Sequence, residues 1–176
     1  YTTRGKIVYT AGINGLELDP VSKKQTFFKG YHCDEILSMA IFHAHGCVKE
    51  RPMFSRDKKQ SQKAKEVIYD GYETLIATGE LGSKPSIYIW ESNSMKYLSK
   101  LCGLHSRGVI LLDFNKSGNH LASIGADHEH TLLVYDWQSR KCVYSSPTSI
   151  DKVYCVRFLP ETSGMVVSAG IKHVYF

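Results

Sequence analysis

A repeated pattern of short apolar segments runs along this chain, and a repeat restricts the fold more than any single residue does. One unit reads Ile36–Ile41, then Leu75–Gly79, then Ile87–Glu91. A second reads Val109–Phe114, Leu121–Gly125 and Leu132–Trp137. A third opens with Val153–Phe158, continues with Met165–Gly170 and stops at His173–Phe176. A partial copy begins the chain, with Ile7–Gly12 and Leu16–Leu18. Val109 and Val153 are 44 residues apart, within the period of about 40–45 for a unit of four strands. Ile36 and Val109 are 73 apart, and the surplus falls between Phe42 and Thr74.

The segments are rich in Val, Ile, Leu and Tyr and are separated by Gly, Asn, Asp, Ser and Pro, the pattern of strands and tight turns. Lys96–Leu101 and Lys141–Ser145 fit as fourth strands. Four short antiparallel strands per repeat describe a blade of a β-propeller. The expected fold is therefore all-β, with WD-type propeller blades that form part of a larger propeller. Residues 1–29 read as the end of a preceding blade or as lead-in strands. Residues 30–101 read as a first full blade with an insertion at about 43–73, residues 102–148 as a second, and 149–176 as a truncated third. Fewer than four blades do not close a ring, so the remainder of the propeller is expected from the same chain.

Charge marks out one segment. The formal net charge is +5, and Lys49–Glu66 carries seven basic residues against three acidic ones. Lys49, Arg51, Arg56, Lys58, Lys59, Lys63 and Lys65 are thus the candidate partner-binding residues, suited to an acidic surface through screened ion pairs. Only Phe54 is aromatic in that window, which argues against stacked nucleic acid. No run of apolar residues approaches the length of a membrane span, so no membrane partner is expected. The five cysteines form no C-x-x-C pair. Cys102, Cys142 and Cys155 lie in or beside apolar segments and are expected as small buried hydrophobes of a reducing compartment.

Polar residues recur at fixed places. A His before the first strand, a Ser or Thr in the second, an Asp in the next turn and a Trp in the third can hydrogen-bond in series and pin the register of a sheet. The second full unit offers His105, Ser123 and Asp127, with Tyr135-Asp136 in place of a Trp-Asp pair and Trp137 next. The first offers His32, Thr78 and Trp90, with Glu91 replacing Asp and Tyr31 interrupting a Gly-His pair. The third offers Ser168 and no His ahead of its first strand.

The departures from a regular blade carry a likeness. Val134-Tyr135-Asp136-Trp137-Gln138-Ser139-Arg140-Lys141, with Gly108-Val109 and Leu112-Asp113-Phe114 upstream, resembles the echinoderm microtubule-associated protein-like (EMAP-like) family of WD-repeat proteins. So does Ala77-Thr78-Gly79 followed by Ile87-Tyr88-Ile89-Trp90. Val166–Phe176 resembles the family's Ser/Thr-Cys/Ala-Gly-x-x-His-Ile-x-Phe-Trp signature, ending one residue early. The likeness runs from about Ile7 to Phe176. It implies the opening blades of the first of two fused propellers, in a protein that binds tubulin or microtubules in the cytoplasm, on the cytoskeleton or in a cilium or axoneme. The interrupted Gly-Tyr-His and the basic insertion depart from the family's pattern.

Other chemistry finds little footing in the residues. His43-Ala44-His45-Gly46-Cys47 has ligand types but no second pair for a tetrahedral metal, and His128-Glu129-His130 reads as a polar turn. No G-x-S-x-G elbow or phosphate-binding loop is present. The expectation is a non-catalytic binding platform without cofactor or metal, organising the cytoskeleton through tubulin. The alternative is a general WD-repeat scaffold that assembles other proteins without touching tubulin.

Overall fold

The computed structural model describes residues 1–28, 31–44, 73–160 and 164–176. Among them the chain forms fourteen strands and no helix. The first sheet holds β1 (Ile7–Ala11), β2 (Asn14–Leu18) and β3 (Gln25–Phe28). The second holds β4 (Ile36–His43), β5 (Thr74–Glu80), β6 (Ser86–Glu91) and β7 (Lys96–Cys102). The third holds β8 (Val109–Phe114), β9 (His120–Gly125), β10 (Leu132–Asp136) and β11 (Lys141–Ser146). The fourth holds β12 (Val153–Phe158), β13 (Val166–Gly170) and β14 (His173–Tyr175). Within each sheet the strands follow chain order and pair antiparallel.

The repeat extends to the irregularities. The first two strands of the second, third and fourth sheets each slip register at the same place, between Ile36 and Ser38, Val109 and Leu111, and Val153 and Cys155. A second slip recurs between Ile89 and Trp90 and between Val134 and Tyr135. Bulges re-aim side chains and strengthen twist, so their recurrence gives the units the same local geometry at the same strand positions.

One hairpin turn also recurs, from a pattern the sequence reading passed over. Asp19-Pro20-Val21-Ser22-Lys23-Lys24, Glu91-Ser92-Asn93-Ser94-Met95-Lys96 and Asp136-Trp137-Gln138-Ser139-Arg140-Lys141 each join the last two strands of a sheet. In each, the leading carboxylate accepts the N–H groups two and three residues on, Val21 and Ser22, Asn93 and Ser94, Gln138 and Ser139. In each, the residue after the Ser takes a left-handed conformation: Lys23 at φ 57°, Met95 at 55° and Arg140 at 58°. The carboxylate satisfies donors that the turn leaves without a ladder partner, which offsets the strain of a non-glycine residue there. Ionised carboxylates are the better acceptors. The Ser22 hydroxyl and the Val21 and Ser22 amides hold Asp19 below its ordinary pKa.

The core lies between the sheets. Val8, Phe28, Ile76, Tyr88 and Trp90 pack between the first and second. Leu75, Ala77, Ile87 and Ile89 meet Val109, Leu112, Leu121 and Tyr135 between the second and third. Ala122, Ile124, Leu132 and Val134 meet Val153, Val156 and Phe158 between the third and fourth. Strands β5 and β6 are buried along their whole length because a sheet covers each face. Each Leu or Ile fully withdrawn there contributes about 1.5–3 kcal/mol. Polar ties cross the same gaps. Buried Glu17 reaches Lys6 and the Ser92 hydroxyl, Ser38 Oγ donates to the Val109 carbonyl at 2.7 Å, and Asp113 accepts the Phe158 N–H at 2.8 Å.

Two expectations change. Strand β3 was not anticipated: Gln25-Thr26-Phe27-Phe28 is short and follows a polar turn, and its pairing with β2 makes the opening copy three-stranded. Cys102 and Cys142 are exposed rather than buried. They sit on β7 and β11, outer strands with one edge toward solvent, where strand membership does not bring burial.

The four sheets stand side by side and do not close into a ring. Strand β1 lies against β4 as β5 lies against β8 and β9 against β12. By that equivalence the first sheet holds the second, third and fourth strands of a unit, and the fourth sheet the first, second and third. This is an all-β stack of WD-type blades.

Candidate functional site

The second sheet assembles a complete polar series. Strand register sets Thr78 opposite Tyr88 and Ile76 opposite Trp90, which brings the indole beside the threonine hydroxyl. His32, just ahead of β4, places Nε2 2.7 Å from Thr78 Oγ1 and Nδ1 2.8 Å from Glu80 Oε2. Trp90 Nε1–H donates to Thr78 Oγ1 at 3.0 Å. One arrangement of protons satisfies every member: Trp90 donates to Thr78, the Thr78 hydroxyl to His32 Nε2, and His32 Nδ1–H to the Glu80 carboxylate. Glu80 also accepts the N–H groups of Ser86 and Cys33. Burial lowers the His32 pKa against the opposing pull of Glu80, so the ring is neutral at pH 7.

Glu80 was missing from the sequence reading, which looked for an acid in the following turn. Register explains the substitution. Glu80 pairs with Ile36 as Gly125 pairs with Val109 and Gly170 with Val153. A Cβ on Gly125 would stand 2.3 Å from Asp127 Oδ2 and 2.6 Å from His105 Nδ1. The third sheet thus leaves this space open and fills it with a carboxylate from the turn, whereas the second sends a carboxylate from the strand itself. The signal in the sequence was a Glu at the end of β5 where the other two sheets end in Gly.

The third sheet brings together part of its expected set. His105 Nε2 lies 2.6 Å from Ser123 Oγ. Asp127 converges on the same space but bonds the Thr131 hydroxyl at 2.8 Å, and His105 Nδ1 has no hydrogen-bond partner among the described residues. Burial lowers the His105 pKa to about 4. Tyr135 stands opposite Leu121, the register place of Trp90, and burial raises its phenol pKa. Trp137 lies apart from Ser123: its Nε1–H donates to the Gly118 carbonyl at 2.6 Å, and its own carbonyl accepts Ser99 Oγ at 2.9 Å. It closes a turn and bridges two sheets instead of joining the series.

In the fourth sheet Ser168 is buried opposite Tyr175. The histidine there comes from an unanticipated direction. His173, on β14, sets Cε1 2.5 Å from where a Gly170 Cβ would be. It stands at the site that Glu80 takes in the second sheet.

Tyr31, which interrupts the Gly-His pair, has a role in packing. Its ring stacks on Tyr97 at 4.9 Å and lies 5.4 Å from Trp90, covering the series from solvent. The turn containing His128, Glu129 and His130 is tied to the next loop, with the Glu129 carbonyl accepting the Thr148 and Ser149 N–H groups and His130 Nδ1 bonding the Ser149 carbonyl at 2.8 Å. Lys49, Arg51, Arg56, Lys58, Lys59, Lys63 and Lys65 lie outside the described residues, as do His45 and Cys47.

Thr78–His32–Glu80 has the order of a nucleophile, base and acid. Thr78 is 1% exposed and its oxygen already accepts the indole N–H, so the hydroxyl has no approach for a substrate. The same holds for fully buried Ser123. These series join strands.

The chain is similar in sequence to several known proteins. It is 34% identical over 112 residues to echinoderm microtubule-associated protein-like 4 of Xenopus laevis, covering 57% of this chain and 12% of that protein. It is 33% identical over 110 residues to the 77 kDa echinoderm microtubule-associated protein of Strongylocentrotus purpuratus, covering 57% and 16%. It is 30% identical over 112 residues to echinoderm microtubule-associated protein-like 1 of Mus musculus, covering 57% and 14%. The chain resembles the EMAP-like proteins. No family model matches it. The match spans roughly an eighth of the length of these EMAP-like relatives.

Proposed function

We propose that this chain supplies blades to the propeller of a microtubule-associated protein and acts as a protein-binding platform rather than as a catalyst. The observation that carries the reading is the similarity to several proteins named as microtubule-associated. The buried polar series support it, because their hydroxyls and imidazoles are engaged in joining strands. In this reading the blades divide near residues 29, 101 and 148, further blades complete the ring, and the protein resides on the cytoplasmic cytoskeleton. The basic residues Lys49, Arg51, Arg56, Lys58, Lys59, Lys63 and Lys65 are the proposed contact with acidic tubulin surface.

Co-sedimentation of the full-length protein with stabilised microtubules tests this. The expected outcome is saturable pelleting that weakens as salt rises. Neutralising Lys58, Lys59, Lys63 and Lys65 to Gln should weaken pelleting and flatten its salt dependence. Pelleting that survives unchanged removes the segment as the contact. Absence of pelleting at every salt concentration overturns the microtubule reading in favour of a scaffold for other proteins.

A further inference from the structure

The carboxylate-led hairpin turns gather positive charge at one end of the stack. Register sets each turn beside the start of a neighbouring strand: Leu18 pairs with Ile7, Glu91 with Leu75 and Asp136 with His120. Contacts between sheets bring these ends side by side. Ser92 Oγ donates to Glu17, Asn93 Nδ2 to Glu73, and a Cβ on Gly118 would run into the Phe42 ring. Six exposed cations stand here: Lys23 and Lys24, Lys96, Arg140 and Lys141 in the three turns, and Lys116 in the turn between β8 and β9.

The carboxylates at this end are already engaged. Asp19, Glu91 and Asp136 accept N–H groups of their own turns, Glu17 is buried against Lys6, and Glu73 pairs with Arg4. Among the described residues none of the six cations is in an ion pair. Lys23 and Arg140 hold left-handed positions that glycine adopts without steric cost. The chain accepts that cost and sets a cation there, with Lys24 and Lys141 next in line. Lys96 belongs to the second sheet, and Lys116, Arg140 and Lys141 to the third, both packed on either face. These cations stay exposed because the turns stand at the strand ends, clear of the faces that neighbouring sheets cover.

We propose that this end of the stack docks an acidic, glutamate-rich peptide segment of a partner protein, with Lys96, Lys116, Arg140 and Lys141 at its centre and Lys23 and Lys24 extending it. Unpaired cations attract carboxylates, and turns pinned by their own hydrogen bonds lower the ordering cost of the contact. Nucleic acid fits less well, because Trp137, the one aromatic residue of these four turns, is buried and offers no face for a base to stack on. Packed sheets stand about 10 Å apart and an extended chain covers about 3.3 Å per residue, so about ten residues reach across three turns. The basic segment joins β4 and β5 at this same end. The turn cations form a separate contact, which does not require that the partner belong to a microtubule.

The test uses the full-length protein and a fluorescein-labelled peptide of about ten glutamates, the length that spans the turns, read by fluorescence anisotropy. The expected result is saturable binding that Lys96→Gln, Lys116→Gln, Arg140→Gln and Lys141→Gln together weaken by about tenfold or more, as four exposed ion pairs are lost. Lys84→Gln, Arg107→Gln, Lys152→Gln and Lys172→Gln remove the same charge at the opposite strand ends and should leave the affinity within about twofold. With Lys58, Lys59, Lys63 and Lys65 already changed to Gln, the four turn substitutions should weaken binding by the same factor, which separates this contact from the basic segment. All eight cations outside that segment are exposed, and unchanged melting temperatures confirm that the variants are folded. The proposal is overturned by any of four results: no saturable binding of the probe, equal weakening by the two sets of four substitutions, loss of the turn effect once the basic segment is neutralised, or equally tight binding of a single-stranded oligonucleotide of matched charge.

Discussion

At the scale of single residues, the molecule depends on buried histidines kept neutral. His105 has a pKa of about 4 against an ordinary 6.5. The unfolded chain therefore binds the proton more readily, and stability rises with pH across that interval. The contribution is fully present above pH about 6.5 and is lost as pH falls toward 4. It amounts to about 3 kcal/mol when complete. Urea midpoints measured at neutral pH and near pH 4 should differ in that direction, and His105→Asn should flatten the difference. Glu80→Gln removes the charged acceptor of His32 and should cost about 1–3 kcal/mol at neutral pH, read by the same method. The sequence made His32, Thr78 and Trp90 legible because those residue types stand at the expected spacing. It concealed Glu80 and His173, which reach equivalent space from a strand end and from a third strand. Side chains that arrive at one point from different backbone positions leave no common spacing to read.

At the scale of elements, strands and turns are governed by different signals. The middle strands of the second and third sheets fall within a residue or two of where their apolar runs begin and end, because both faces of those strands are buried and the run is long enough to see. Strand β3 carries only four residues with alternating exposure, too few to stand out from a loop. The three carboxylate-led turns were legible in principle through their acid, Ser and Lys at fixed offsets. Asp136→Ala leaves the Gln138 and Ser139 N–H groups without their acceptor and should cost about 0.5–1.5 kcal/mol. Gln138→Ala, exposed in the same turn, should be nearly neutral. Thermal melts of the two variants check the contrast. Arg140 keeps its left-handed backbone in both, so a loss confined to Asp136→Ala assigns the effect to the carboxylate.

At the scale of the whole molecule, the repeat period announced the architecture before any residue had a role, since sheets that bury both faces need neighbours on either side. The ties that hold the sheets to one another were not legible. Glu17 with Ser92 and Asp113 with Phe158 pair residues far apart in the chain, and no local pattern marks them. The first and fourth sheets each hold three strands, and these are the open ends of the stack. The central claim is that one four-stranded unit is repeated in register, with its middle strands enclosed. Backbone hydrogen exchange of the full-length protein, followed by mass spectrometry, tests it most directly. Slow exchange should concentrate in Thr74–Glu80, Ser86–Glu91, His120–Gly125 and Leu132–Asp136, with faster exchange at Lys96–Cys102 and Lys141–Ser146. Protection spread evenly along the chain, or strongest in those outer strands, would contradict the account.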